Sequence, residues 1–221
     1  MSGHGHYREA HPLPLMLSHW SNLICMCVLA FTGFYIHYPF FAGFMGTARS
    51  LHFFFMYLLL VTITARIIMA FTVKDANQLG SKERDWDWKN WIVQDENRHQ
   101  LWETAKYYLF MRKEHVISAK NGSLQKISYI VTIPLTYAIA YAGFAIYAPA
   151  HAWGIWDSFF APGLAFVGGD MNMRIIHYFL MWAIILFTMI HAYLANIYGV
   201  APTKLMFFWI ETEDPYDQYH Q

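Results

Sequence analysis

An all-α integral membrane fold, a bundle of four spanning helices, follows from three features of this sequence. It is 57% hydrophobic and only 14% charged, where soluble domains carry about a quarter charged residues. The apolar residues fall in four long blocks, each long enough to cross a hydrocarbon core of about 30 Å. Ten of the fifteen Lys and Arg lie in residues 74–126, between the second and third blocks, which is the asymmetry expected of a cytoplasmic loop. The 221 residues are read as a single membrane domain with a net charge of zero, a balance that gives nucleic acid no electrostatic footing. Cys25 and Cys27 sit within an apolar block and form no disulfide framework.

Residues 1–14 read as a polar tail. Its His4, His6 and His11 fit a solvated segment better than a metal site, and it has no cleavable signal pattern. The first spanning helix is expected at about 15–38. It contains no charged residue and closes on Tyr35, Tyr38 and Pro39. His19 lies near its start, and Gly33 falls fourteen residues later on nearly the same face. A glycine there lets a flat macrocycle approach the backbone, or packs two helices together. The second helix, expected at about 48–73, opens with His52 and carries Arg66 fourteen residues on. A charge at that depth needs a partner, such as a haem propionate, or else snorkels to the interface.

Residues 74–123 are the cytoplasmic segment, which makes both termini cytoplasmic by counting crossings. Leu101, Ala105 and Leu109 recur at helical spacing before Arg112 and Lys113. Residues 98–114 therefore read as an amphipathic helix on the membrane surface. The third spanning helix, about 124–148, carries Pro134 and Gly143 but no histidine before residue 149, so it is scaffold. Residues 149–173 read as an outer loop with an aromatic belt including Trp153 and Trp156. The fourth helix runs about 174–198 and holds His177 and His191.

Those two histidines carry the chemistry. Fourteen residues of α-helix separate them by about 21 Å along the axis and only ~40° around it. Intramembrane imidazoles point to function. By the crossing order, His52 and His177 lie near the outer face, and His19 and His191 near the inner one. Each pair comes from two helices, as a planar ring clamped by one imidazole on each side requires. Two haems stacked across the bilayer follow. With no C-x-x-C-H the haems are not attached as in c-type cytochromes, and bis-imidazole ligation favours electron transfer over oxygen chemistry. His37 returns to the face of His19 and is the alternative to His52; a surface or propionate contact suits its boundary position better. The spanning stretches hold no Asp or Glu, which argues against a proton-coupled transporter. A haem-free membrane anchor is the remaining alternative.

The stretches Ser18-His19-Trp20, Thr32-Gly33-Phe34-Tyr35, Arg49-Ser50-Leu51-His52, Ile176-His177-Tyr178 and Met189-Ile190-His191-Ala192-Tyr193 resemble the b-type cytochrome subunits of membrane-bound nickel–iron hydrogenases. They are also similar to the related gamma subunits of formate dehydrogenases. The resemblance implies two b haems, with the family's ligands falling on His19, His52, His177 and His191. It implies an inner (plasma) membrane location. It also implies an iron–sulfur small subunit and a catalytic subunit docked on the outer face, and a quinone (menaquinone or ubiquinone) reduced near the inner haem. On that reading the chain performs no substrate chemistry alone. Candidates near the inner haem are Asn22, His99, Tyr107, Tyr108 and His115.

Overall fold

The computed structural model describes residue 8 and residues 11–76, 83–91, 102–103, 106–107, 109–113, 123–151, 154–196 and 201–211. It is mostly helical. Among the described residues, four helices are long and apolar enough to cross a membrane: α1 (Leu13–His37), α2 (Met45–Thr72), α3 (Ser123–His151, apolar from Ile130 to Ala148) and α5 (Asp170–Asn196). Two shorter helices, α4 (Ile155–Val167) and α6 (Ala201–Phe208), are also present among the described residues, and a two-stranded hairpin follows α2.

The helices begin earlier than hydropathy alone suggests, for local reasons. Proline lacks an amide proton, which the first turn of a helix does not use. Pro14 is therefore taken into the first turn of α1, and the carbonyl of Pro12, just before the helix, accepts from the amides of Leu15 and Met16 at 3.0 and 3.1 Å. Asp170 opens α5, where its negative charge complements the helix N-terminus and pairs with Arg174 at 2.9 Å. The largest correction concerns residues 149–173, expected as an outer loop. Helix α3 continues to His151, and α4 occupies Ile155–Val167 with Pro162 inside it. Gly168, in the left-handed region at φ 84°, ends α4.

The chain divides into two compact units: residues 1–22, 62–131 and 192–221, and residues 23–61 and 132–191. The second unit holds the later part of α1, the early part of α2, the later part of α3, all of α4 and most of α5. Ala142, Ala145, Ala148, Phe160 and Met173 form its buried cluster. The Tyr35 hydroxyl, 1% exposed, donates to the Phe41 carbonyl at 2.5 Å and pins the α1–α2 turn. Large apolar side chains point outward from the spanning helices, among them Phe54, Val61, Phe179 and Leu186. Such a surface suits a lipid solvent.

The first unit holds the hairpin. Strand β1 (Lys74–Ala76) pairs antiparallel with β2 (Arg84–Trp86), Asp75 opposite Asp85, and a 3₁₀ turn follows at Asp87–Asn90. The turn delivers Asp87 to Arg66 of α2, with Nη1 to Oδ2 at 2.6 Å. Trp91 Nε1 donates to the same carboxylate oxygen at 3.0 Å, and the guanidinium lies 4.8 Å from the centre of the Trp91 ring. Described residues from the early and late parts of the chain also meet in this unit. Arg8 Nε donates to the Trp209 carbonyl at 3.3 Å, and Trp20 Nε1 of α1 donates to the Met206 carbonyl of α6 at 2.8 Å.

Within the 98–114 stretch, residues 98–101, 104–105, 108 and 114 lie outside the described residues. Residues 102–103 and 106–107 are helical, but Phe110 adopts φ 59°, and its amide and that of Met111 bond back to Tyr107 and Lys106. This is the hydrogen-bond pattern of a helix C-terminus, so helix does not continue to 114. Beyond the turn, Arg112 folds back to Glu103 at 2.5 Å. The Lys106 ammonium, and with it Arg112, holds the Glu103 carboxyl below its ordinary value.

The Arg66–Asp87 side chains are 12% and 3% exposed. Removing one partner of a buried pair typically costs about 3–5 kcal/mol, because it strands the other charge. Asp87→Ala is expected to destabilise the protein by an amount in that range, read by denaturant unfolding in detergent. A change below about 1 kcal/mol, the scale of an exposed pair, would show that solvent already screens the charges.

Candidate functional site

In the second unit, α2 and α5 bring His52 and His177 together. Their ring centroids are 6.4 Å apart with an interplanar angle of 66°. That separation has a chemical meaning. A metal–imidazole bond is about 2 Å, and each nitrogen lies roughly 1 Å from its ring centre, so two imidazoles on one metal put their centroids ~6 Å apart. Rings in van der Waals contact through their faces would come closer.

Each ring is held by its Nδ1. The His177 Nδ1 lies 3.0 Å from the Ile139 carbonyl of α3. A carbonyl only accepts, so Nδ1 carries the proton and Nε2 has the free lone pair. The His52 Nδ1 lies 2.9 Å from the Thr32 hydroxyl of α1. Helix α3 is therefore scaffold, as the absence of a histidine from its apolar stretch implies, but scaffold that orients a ring. Two glycines let the rings pack against backbone. A Cβ at Gly143 would stand 3.1 Å from His177 Cε1, and one at Gly33 would stand 3.5 Å from His52 Cε1 and 3.7 Å from Met181 Sδ.

The other candidates separate from this pair. His191, exposed in the second unit, stacks on Phe187 one turn earlier, with centroids 6.0 Å apart and planes at 17°. His19 belongs to the first unit, where it is exposed and meets Trp20 edge-on at 5.6 Å. Beside it, Ser18 is 7% exposed and its hydroxyl has no hydrogen-bond partner among the described residues. Asn22, one turn on, accepts from the Thr62 hydroxyl at 2.5 Å. Arg66 is engaged by Asp87, a partner that the sequence did not single out. His37 is exposed at the end of α1, stacked on Tyr178 at 4.6 Å. Tyr107 is half-buried. His99, Tyr108 and His115 lie outside the described residues.

Among the described residues no group of three or more His, Cys, Asp or Glu could hold a bare metal ion. Paired histidines suit a metal whose remaining positions are filled by a macrocycle. Thr32, Ile139 and Gly143 are the contributors that sequence reasoning missed. Thr32 adjoins Gly33, so its place beside the ring was within reach; a backbone carbonyl leaves no mark in a sequence.

The two glycines differ in clearance. Gly143→Ala forces the His177 ring to give way and is expected to cost about 1–3 kcal/mol, the usual range for overpacking a filled core. Gly33→Ala makes an ordinary contact and is expected to cost less, both read by unfolding of the cofactor-free protein in detergent. Equal costs would mean that His177 does not pack on Gly143.

The model of one protein family, described as prokaryotic cytochrome b561, matches residues 10–209. The chain is 27% identical over 198 residues to a protein of Azotobacter chroococcum mcd 1 described as a probable Ni/Fe-hydrogenase B-type cytochrome subunit, covering 82% of this chain and 77% of that one. A protein of Azotobacter vinelandii with the same description is 26% identical, with the same coverage. One from Escherichia coli (strain K12), described as a probable Ni/Fe-hydrogenase 1 B-type cytochrome subunit, is 24% identical over 82% of this chain and 79% of its own length. With four apolar helices, paired imidazoles and a family match over nearly its whole length, this multi-pass membrane chain belongs to the prokaryotic cytochrome b561 family.

Proposed function

We propose that this chain is the membrane cytochrome subunit of a nickel–iron hydrogenase. On this reading it binds two b haems, one on His52 with His177 and the other on His19 with His191. It carries electrons from an iron–sulfur small subunit, docked with the catalytic subunit on the outer face of the inner membrane, to menaquinone or ubiquinone. Because α1, α2, α3 and α5 each contribute to both compact units, the chain acts as one membrane domain. The single observation that carries the reading is the 6.4 Å separation of the His52 and His177 rings. The hydrogenase assignment rests on the relatives' descriptions.

The residues present fit the group. His177 has its Nδ1 committed to Ile139, so its Nε2 is available to iron. Gly33 and Gly143 keep Cβ atoms away from the rings. At the other site the sign of fit is the buried, unpartnered Ser18 hydroxyl beside His19, a polar group available to a ligand. A bound b haem supplies a one-electron couple at its iron, with no open position for oxygen.

The chain's own residues do the rest. The apolar flanks of α2 and α5 exclude water from the outer pair. On the cytoplasmic side, Asn22, Tyr107, Tyr108, His99 and His115 are the candidates to bind a quinone head and pass it protons. Arg66, held in place by Asp87, offers its remaining guanidinium N–H donors in the same unit to a propionate or a quinone carbonyl. The segment 74–123, read as cytoplasmic, presents its basic residues to the membrane surface. Since electrons enter outside and protons are taken from inside, turnover contributes to the membrane potential.

An optical difference spectrum of the native complex tests this reading. Hydrogen is expected to raise a b-type α-band, and formate is not. A band with formate alone would move the subunit to a formate dehydrogenase; no band even with dithionite would leave a haem-free anchor. His52→Ala and His177→Ala are each expected to remove the same haem, leaving about half the wild-type band if both pairs bind, while His19→Ala and His191→Ala remove the other. Loss of different haems in the His52 and His177 variants would break the pairing.

A further inference from the structure

The proton inventory around Thr32 fixes the state of one histidine. Thr32 is fully buried in α1. Its hydroxyl has one proton, and that proton points back to the helix: Oγ1 donates to the Val28 carbonyl at 2.7 Å, with the Leu29 carbonyl at 3.3 Å. Both of these partners are acceptors only. The third neighbour is His52 Nδ1 at 2.9 Å. A hydroxyl that has already given its proton to a carbonyl can only accept from that nitrogen. The reverse assignment, Thr32 donating to His52, would forfeit the shorter bond to Val28.

We propose that Thr32 is a positioning residue that holds His52 as its Nδ1–H tautomer, leaving Nε2 with its lone pair for iron. This rests on His52 being a haem ligand. An acceptor on the far nitrogen orients a ligating imidazole and makes it more basic. A more basic ligand favours the oxidised iron, so Thr32 lowers the midpoint potential of the haem that His52 binds. The Leu29 backbone also faces the His52 ring, and His177 has the Ile139 carbonyl; no substitution removes either. Thr32 is therefore the side chain through which the sequence can adjust this haem.

The test is a spectroelectrochemical titration of the purified complex carrying Thr32→Val or Thr32→Ser, with haem content measured alongside. Valine keeps the shape and removes the hydroxyl acceptor, leaving only the Leu29 backbone beside the ring; serine keeps the hydroxyl. The T32V variant is expected to move one b component to higher potential and leave the other in place, while T32S stays with the wild type. Loss of one haem in T32V but not in T32S also supports the proposal. It is overturned if T32V titrates as the wild type does, or if T32S shifts or loses haem as T32V does. Failure of the underlying reading looks different: His52→Ala would then retain both haems.

Discussion

An imidazole surrounded by apolar helices has two ring nitrogens to satisfy, and it cannot satisfy both with backbone. Regular helices consume their own amides and carbonyls, so few polar groups are left over at membrane depth. In the second compact unit one nitrogen of each ring is already committed: His177 to the Ile139 carbonyl, His52 to Thr32. The nitrogens that remain are a matched pair on rings 6.4 Å apart. Much of the local sequence serves that arrangement. Gly33 and Gly143 give the rings room, and Thr32 keeps its own proton occupied with Val28.

The same economy governs the one arginine in the later half of the second spanning helix. Arg66 is not left to reach for water. The chain turns back through a short hairpin immediately after α2, and the 3₁₀ turn that follows returns Asp87 and Trp91 to the guanidinium. Twenty-one residues separate the two charges, too far for a helix-face pair. The hairpin therefore has an electrostatic purpose that its charged, ordinary-looking sequence conceals.

This contrast marks how far the sequence could be read. Long apolar blocks are governed by one large cost, that of placing polar atoms in lipid, and their positions were legible to within a few residues. The approach of His52 to His177 followed from counting crossings and matching depths. What was not legible depends on tertiary return. Ile155–Val167 fell within a stretch read as an outer aromatic loop; the helix tolerates Pro162 and Gly163 and uses Gly168 as its end. Asp87 was hidden among other acids and bases of the cytoplasmic stretch. The Ile139 carbonyl is chemically identical to every other carbonyl in α3, so only coordinates distinguish it.

The bond from Trp20 to the Met206 carbonyl spans 186 residues and ties the turn that carries His19 to α6, the last of the described helices. Translation proceeds at about 5–20 residues per second, so roughly 10–40 s pass between the synthesis of the two partners. During that interval α1 waits in the membrane without the segment that packs against its first turns. The surroundings of His19 are thus among the last parts of the protein to mature. A chain that stalls or is clipped before residue 201 leaves this end of the first compact unit unfinished, although Thr32 and His52 are only twenty residues apart and meet far sooner.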